Sequence, residues 1–442
     1  MNASLQAAPS WLVRVVAVKP GEARALLWSF AYFFFLLASY YVLRPVRDEM
    51  GLAGGIKNLP WLFTATFFVM LAAVPLFGAI VARIPRRRFI PLVYHFFAAN
   101  ILIFWLLLTF KVGMADTARV FFVWISVFNL FAVSVFWSFM ADLYRSEQGK
   151  RLFGFIAAGG SAGALLGPLI AVTLAESLGR ANLLLIAFVL LEVAVFCAMR
   201  LEKAATSLKA DTGEAPPAAG TPPEAGLGGG WISGLMMVLR SPYLAGIALW
   251  VALLSLAGTF LYFQQLGIVA SISDDPNRRT AIFARIDLAV SLLTILVQFL
   301  ATGRLIRRFG AGPAAAFLPL VFAAGFLALA LTPMLWVVIA FQALQRAANF
   351  AISNPAREVL FTVLAREEKY KAKYVIDNVV FRGGDAASGW LYHALRGSGM
   401  DPSSISLATV PVAAGWLALA LLLGREHERR SPKDPSSTPA EK

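Results

Sequence analysis

The feature that most constrains this chain is an apolar segment that leads directly into charged residues. Residues 23–43 are long and apolar enough to cross a bilayer, which takes about 20 residues of helix. The chain then continues without a break into Arg44 and Arg47. A charged side chain at membrane depth costs about 2.5–3.5 kcal/mol on insertion scales, so it persists where it faces a cavity, a partner or a substrate. Arg346 and Arg357 belong to a second element of this kind, and the two elements together predict a protein that handles anions inside a membrane.

The composition assigns the chain to the polytopic membrane proteins. Its 442 residues are 59% hydrophobic and 14% charged, and the mean hydropathy is +0.71. Soluble domains carry about 25% charged residues. The net charge of +14 is interpreted as basic loops on one face of a membrane, with the lipid bilayer as a partner, rather than as a surface for nucleic acid. The single cysteine, Cys197, excludes a disulfide framework and a cysteine-based metal cluster.

Twelve apolar stretches predict an all-α polytopic membrane protein with twelve transmembrane helices. The predicted spans fall into two groups of six, 23–43, 59–82, 89–110, 118–141, 152–176 and 181–200, then 243–265, 281–302, 313–332, 334–354, 373–395 and 405–423. The segment 78–85, which closes the second span, resembles the segment 303–310, which closes the eighth. Two pseudo-symmetric six-helix bundles of this kind are the layout of the major facilitator superfamily.

This repeat divides the chain into four parts. The parts are an N-terminal six-helix bundle, 1–203, a cytoplasmic linker, 204–240, a C-terminal six-helix bundle, 241–424, and a disordered cytoplasmic tail, 425–442. Within the linker, residues 204–230 are rich in Pro, Gly and Ala, as flexible segments are. Basic residues concentrate in loops on one side of the twelve spans, so the positive-inside rule predicts that both termini lie in the cytoplasm. We expect a monomer in the inner membrane of a bacterial cell.

Motifs for enzyme chemistry are missing from the sequence. It contains no GxxxxGKS/T phosphate-binding loop, no nucleophile elbow and no zinc signature. His95, His393 and His427 are scattered and do not have the spacing of metal ligands. We therefore predict a protein that is not an enzyme and that binds no metal and no cofactor.

Charged residues inside the predicted spans are the candidates for handling a substrate. Arg44 and Arg47 lie three residues apart and share one helix face, unless both snorkel outward to the interface. Arg346 lies deeper in its span, where snorkelling is harder. Asp287 is an intramembrane carboxylate that could pair with an arginine or carry a proton. Three further residues make the eleventh span the most polar of the twelve: Asp377, Arg382 and Asp385.

Small residues predict where two helices pack closely. Gly159, Gly163 and Gly167 recur at every fourth position of the fifth span. Glycines at this spacing allow the backbones of neighbouring membrane helices to approach each other. We therefore expect one face of the fifth span to lie tightly against another helix.

Several stretches of this sequence resemble the bacterial and plastid ATP/ADP translocases. Residues 42–48, VLRPVRD, look like the first-helix pattern Ile-Leu-Arg-Asp-Thr-Lys-Asp of that family. The other similar stretches are 136–139 and 147–154, FWSF and EQGKRLFG, then 275–277, DPN, with Asp287, and finally 354–359 and 371–377, NPAREV and KAKYVID. The last two are the strongest, and they look like Asp-Pro-Cys-Lys-Glu-Met and Lys-Gly-Lys-Ala-Ala-Ile-Asp.

The resemblance implies nucleotide exchange across a membrane and suggests which residues take part. Lysines of the family's first-helix and Lys-Glu-Met motifs are implicated in handling the nucleotide, and the matching positions here are Arg47 and Arg357. Arginine keeps the charge and offers a bidentate fork suited to phosphate. Arg346 falls where the family has another basic residue. Asn349 stands where the family has a lysine, and Pro45 where it has an aspartate.

These observations lead to the hypothesis of a secondary transporter that exchanges ATP and ADP by alternating access around a central cavity. The expected substrate-binding residues are Arg44, Arg47, Arg346, Arg357 and Asn349. The expected gating or coupling residues are Asp48, Asp287, Glu358, Asp377, Arg382 and Asp385. One alternative is a proton- or sodium-coupled major facilitator-type transporter of another organic anion, with Asp287 titrating. A second alternative is a non-transporting sensor or assembly factor on the same scaffold.

Overall fold

The chain is built from helices. The computed structural model describes residues 18–19, 22–83, 86–211, 231–300 and 311–430, and all regular secondary structure in these ranges is helical, which confirms the predicted all-α class. The α-helices are α1 (Glu22–Ala53), α2 (Leu59–Arg83), α3 (Arg86–Thr109), α4 (Met114–Leu143), α5 (Ser146–Leu178), α6 (Arg180–Asp211), α7 (Trp231–Arg240), α8 (Pro242–Ile272), α9 (Pro276–Leu300), α10 (Ala311–Leu331), α11 (Leu335–Ala348), α12 (Asn354–Leu360), α13 (Arg366–Val375), α14 (Phe381–Gly397) and α15 (Pro402–Arg430). Two π-helical turns, Asn349–Ser353 and Ile376–Val380, join α11 to α12 and α13 to α14.

Ten helices among the described residues are long and apolar enough to cross a membrane. The predicted spans ten and eleven are the two that fall short, although both regions are helical. Each is divided by a π-helical turn and carries charged side chains, so no uninterrupted apolar helix of span length remains. The count of twelve transmembrane helices therefore stays a prediction.

The described residues fall into two compact units, and this division differs from the predicted domain boundaries. One unit lies within Met1–Pro223 and Val269–Ser291, and the other within Glu224–Ile268 and Leu292–Lys442. Most of α9 therefore packs with the first half of the sequence, although the predicted C-terminal bundle contains it. One of the contacts responsible is a hydrogen bond of 2.9 Å from the hydroxyl of Ser291 to the carbonyl oxygen of Ala164.

Part of the predicted flexible linker is helical. Helix α6 continues to Asp211, and residues 231–240 form α7, while residues 212–230 lie outside the described residues. Helix α7 packs closely on α13, because a Cβ atom at Gly234 would lie only 2.7 Å from the carbonyl oxygen of Lys371. Residues 231–240 are thus a helix within the predicted linker, and the linker bounds 204–240 stay a prediction.

The start of the predicted tail is also helical. Helix α15 continues to Arg430, so residues 425–430 belong to it, and residues 431–442 lie outside the described residues. The guanidinium of Arg430 lies 4.6 Å from the ring centre of Tyr243, and its Nε donates to Oε1 of Glu426 at 2.9 Å. These contacts support the last turn of the helix in a stretch whose composition predicted disorder.

The predicted glycine seam lies between α1 and α5 in the first unit. A Cβ atom at Gly159 would lie 2.6 Å from the carbonyl oxygen of Phe30, and one at Gly167 would lie 2.8 Å from that of Ala38. Only glycine leaves room for backbones at this separation. The seam confirms the expected close packing and fixes α1, which carries the first group of charged residues, against α5.

Candidate functional site

The first group of charged residues lies towards the C-terminal end of α1. This helix continues through Pro45 to Ala53. Nε of Arg44 lies 3.6 Å from Oδ2 of Asp287 on α9, and its guanidinium lies 5.5 Å from the ring centre of Tyr41. The Asp287 side chain is 2% exposed. The structure therefore makes this intramembrane carboxylate the partner of an arginine.

Arg47 contacts different neighbours from Arg44, although both lie on one helix. Its guanidinium lies 4.5 Å from the ring centre of Phe122 on α4, and its Nη1 lies 3.8 Å from Oδ1 of Asp48. The side chain of Arg47 is 20% exposed, and that of Arg44 is 16% exposed. Both arginines are thus largely buried instead of snorkelling outward, and α1 directs its two cations to two different places.

A third ion pair at this end of α1 was not predicted from the sequence. Nη1 of Arg180, at the start of α6, binds Oε2 of the buried Glu49. The backbone N–H of Arg180 donates to Oδ1 of Asn277, at the start of α9, at 2.9 Å. The sequence offers one indication that this region is functional, because Asn277 belongs to the DPN stretch that resembles the translocases.

The second group of charged residues lies on α12, α13 and the π-helical turn after α13. Nη1 of Arg357 lies 3.0 Å from Oδ1 of Asp377. Nζ of Lys373 donates to Oε1 and Oε2 of Glu358 at 2.7 and 2.6 Å. The structure therefore brings three predicted residues together and adds Lys373, which the KAKYVID stretch contains but which was not selected as a candidate.

Both π-helical turns in the described part of the chain coincide with predicted site residues. The first begins at Asn349 and the second contains Asp377. Such turns occur frequently at functional sites. Oδ1 of Asn349 is buried and has no hydrogen-bond partner among the described residues. Arg346 lies in the last turn of α11 and is partly buried.

Arg382 and Asp385 form a pair within one turn of α14. Their Nη1 and Oδ2 atoms are 3.5 Å apart. Oδ1 of Asp385 accepts hydrogen bonds from the hydroxyls of Ser255 at 2.6 Å and Thr259 at 3.4 Å, both buried on α8. Sequence reasoning missed these two hydroxyls, because Ser and Thr within a helix commonly bond to their own backbone.

The described groups offer cations and hydrogen-bond donors. In the part of the chain that the structure describes, no group of three or more His, Cys, Asp or Glu could hold a metal ion. His95 and Glu192 make a single contact, with Nδ1 and Oε1 3.0 Å apart. Guanidinium groups bind phosphate and carboxylate through two parallel hydrogen bonds. The arrangement is therefore suited to recognising an anion.

Solved structures of transporters share this architecture. The nucleoside transporter NupG matches 92% of this chain and 100% of its own chain, with a TM-score of 0.61 and 11% sequence identity. An auto-inhibited peptide transporter of the POT family matches 94% of this chain and 99% of its own, with a TM-score of 0.63 and 16% identity. At such identities the likeness shows that this chain shares the fold of these proteins, and nothing more.

The sequence comparison then identifies the family. The profile of the TLC ATP/ADP transporter family matches residues 117–426, and the chain belongs to this family. ADP,ATP carrier protein 2 of Chlamydia pneumoniae is 25% identical over 235 residues, which are 46% of this chain and 44% of that protein. The match therefore spans less than half of this relative. Arg357 and Asp377 lie inside the family match, whereas Arg44 and Arg47 precede it.

Proposed function

We propose that the protein is a secondary transporter that exchanges ATP and ADP across the inner membrane of a bacterial cell. Two six-helix halves provide alternating access, the protein works as a monomer, and both termini lie in the cytoplasm. The residues proposed to bind the nucleotide are Arg44, Arg47, Arg346, Arg357 and Asn349. Those proposed to gate or couple transport are Asp48, Asp287, Glu358, Asp377, Arg382 and Asp385.

The observation that carries this proposal is the position of Arg357 in a member of an ATP/ADP transporter family. Its side chain is 14% exposed and that of its partner Asp377 is 30% exposed, so the protein does not fully enclose either group. The buried Oδ1 of Asn349, which lacks a hydrogen-bond partner among the described residues, could accept a hydrogen bond from the amino group of a base.

Exchange suits a protein with several buried arginines. A guanidinium at membrane depth is costly without a neutralising anion. When one anion is replaced by a similar one, the same arginines can hold both. Membership of the TLC ATP/ADP transporter family supports exchange over coupling to a proton or sodium gradient.

The test is uptake of labelled ATP into liposomes that contain the purified protein, with and without internal ADP. We expect uptake that requires internal ADP and that excess unlabelled ATP competes away. Arg357→Ala and Arg346→Ala should each abolish uptake without loss of folded protein. Arg396→Ala is the matched control, because this exposed arginine at the end of α14 donates to the carbonyl oxygen of Met400 at 2.9 Å.

Three results would contradict parts of this proposal. If uptake does not depend on internal ADP but does depend on a proton or sodium gradient, the mechanism is ion coupling and not exchange. Normal uptake by the Arg346→Ala variant would remove this residue from the site. The absence of ATP uptake by well-folded protein, with internal ADP present, would exclude ATP and ADP as the exchanged pair.

A further inference from the structure

The contact between Arg357 and Asp377 is an ion pair without the geometry of a hydrogen bond. Nη1 and Oδ1 are 3.0 Å apart. Nevertheless, neither Oδ1 of Asp377 nor Nε of Arg357 makes a hydrogen bond within the described part of the chain. A hydrogen bond weakens steeply when its angle is poor, and no hydrogen bond reinforces the contact at Oδ1 within the described residues.

The neighbouring carboxylates of the second unit are held more firmly. Glu358 accepts two hydrogen bonds from Nζ of Lys373, at 2.7 and 2.6 Å. Asp385 accepts one from the hydroxyl of Ser255 at 2.6 Å. Charge-assisted hydrogen bonds are roughly twice as strong as neutral ones. Among these three carboxylates, Asp377 is the one that an incoming anion can displace with the smallest loss of contacts.

The local backbone also suits a carboxylate that moves. Asp377 lies within the π-helical turn Ile376–Val380, between α13 and α14. A π-helical turn holds an extra residue relative to a regular α-helix. Rearrangement of this turn would therefore change the direction of the Asp377 side chain while leaving α12, which carries Arg357, in place.

We propose that Asp377 is a displaceable counter-anion that occupies Arg357 in the empty transporter and yields this place to a phosphate group of the substrate. This inference rests on the proposed function and deepens it. The competing carboxylate lowers the apparent affinity for the nucleotide, because only the fraction of sites with a free guanidinium can bind. When the phosphate leaves, the carboxylate returns and neutralises Arg357 again, which speeds release. Asp377 is thus a positioning residue that acts on the substrate through Arg357.

The test is equilibrium binding and exchange by the full-length protein with Asp377→Asn. We expect the Kd for ATP and ADP to fall about tenfold, the scale of one charge-assisted contact. The exchange rate at saturating nucleotide should fall as well, because release becomes slow. A purely structural role for Asp377 would instead weaken binding. Asp377→Ser provides a second neutral variant if the asparagine variant does not fold.

Two further variants distinguish displacement of Asp377 by a phosphate group from a general effect of negative charge on nucleotide affinity. Glu358→Gln removes a carboxylate next to Arg357, but one that is bound to Lys373. Asp377→Glu keeps the competing charge and should keep the affinity close to that of the wild type. If Glu358→Gln tightened binding as much as Asp377→Asn does, the loss of negative charge alone would explain the effect and the inference would be overturned.

Inorganic tripolyphosphate distinguishes a failure of the inference from a failure of the proposed function. If the wild type exchanges ATP for ADP but Asp377→Asn does not bind more tightly, the inference is wrong and the function stands. If ATP is not exchanged but Asp377→Asn binds tripolyphosphate more tightly than the wild type, the inference stands and nucleotide exchange is wrong. If neither compound binds either protein, both are wrong.

Discussion

The two groups of charged residues contain the same kinds of side chain in very different surroundings. In the first unit, Asp48, Glu49 and Asp287 are each no more than 2% exposed. In the second unit, the side chains of Glu358 and Asp377 are 46% and 30% exposed. Separating a buried ion pair leaves an uncompensated charge at high cost, whereas separating a partly exposed pair costs little. The comparison teaches that the carboxylates of the first group should give up their partners at a higher cost than those of the second group.

Backbone structure follows the same division. Asp48 and Glu49 of the first group lie on α1, a continuous helix of 32 residues that is fixed to α5 by the glycine seam. The second group lies on α12 and α13, helices of 7 and 10 residues, each adjoining a π-helical turn. Long, closely packed helices resist local rearrangement, and interrupted short helices allow it.

Gly163→Leu should cause the largest loss of stability, because it disrupts the glycine seam of the first unit. A Cβ atom at this position already overlaps the carbonyl oxygen of Phe34 and lies 3.0 Å from the backbone nitrogen of Ala38. We expect a loss of more than about 4–5 kcal/mol, the range of exceptional single substitutions. The measurement is the yield of monodisperse protein in size-exclusion chromatography. Gly154→Leu on the same helix is the control, because nothing lies within 4 Å of a Cβ atom there. Equal yields of the two variants would show that the seam does not secure α1.

Glu49→Gln compared with Glu358→Gln tests the difference between the two groups directly. Glu49 is 1% exposed and is bound by Arg180, so its neutralisation leaves a buried cation without its partner. We expect a loss of about 3–5 kcal/mol. Glu358 is 46% exposed and binds Lys373, so we expect a loss of about 0–1 kcal/mol. Thermal unfolding in detergent measures both losses, and similar melting temperatures for the two variants would remove the distinction between a fixed and an exchangeable group.

Ser255→Ala should have a much smaller effect than Gly163→Leu or Glu49→Gln. It removes the 2.6 Å hydrogen bond to Asp385, while Arg382 still accompanies the carboxylate. We expect a loss of about 1 kcal/mol in stability and an increase of no more than about fivefold in the KM for exchange. Thr259→Val should change less, because its hydrogen bond is 3.4 Å long. A larger effect of the threonine variant would mean that Ser255 does not hold Asp385.

Much of the fold could be predicted because membrane helices leave a local signal in the sequence. Predicted spans one to nine and predicted span twelve coincide with helices long enough to cross a membrane. The two π-helical turns could not be predicted, since one inserted residue hardly alters an apolar pattern. Helix α7, residues 231–240, and the end of α15, residues 425–430, were missed because composition does not show the tertiary contacts that they make.

The candidate residues were easier to find than their partners. Arg357 and Asp377 are charged residues in or beside apolar segments, which is visible in the sequence. That they contact each other, and that Arg44 contacts Asp287, follows only from the packing of helices far apart in the chain. Arg180 was missed because charged residues are common at the ends of membrane spans. The sequence does not show that Arg180 has a buried partner.

The neutral balance within the second group has an electrical consequence. Its two cations, Arg357 and Lys373, are matched by two carboxylates, Glu358 and Asp377. The net charge of this group is zero, so the group does not compensate the charge of a bound nucleotide. Because ATP carries more negative charge than ADP, each exchange of ATP for ADP would move net charge across the bilayer. Membrane voltage acts on this net charge with about 2.3 kcal/mol per elementary charge per 100 mV. A potential that is negative inside the cell would favour exit of ATP and entry of ADP, and the direction of net exchange would then depend on voltage as well as on nucleotide concentrations.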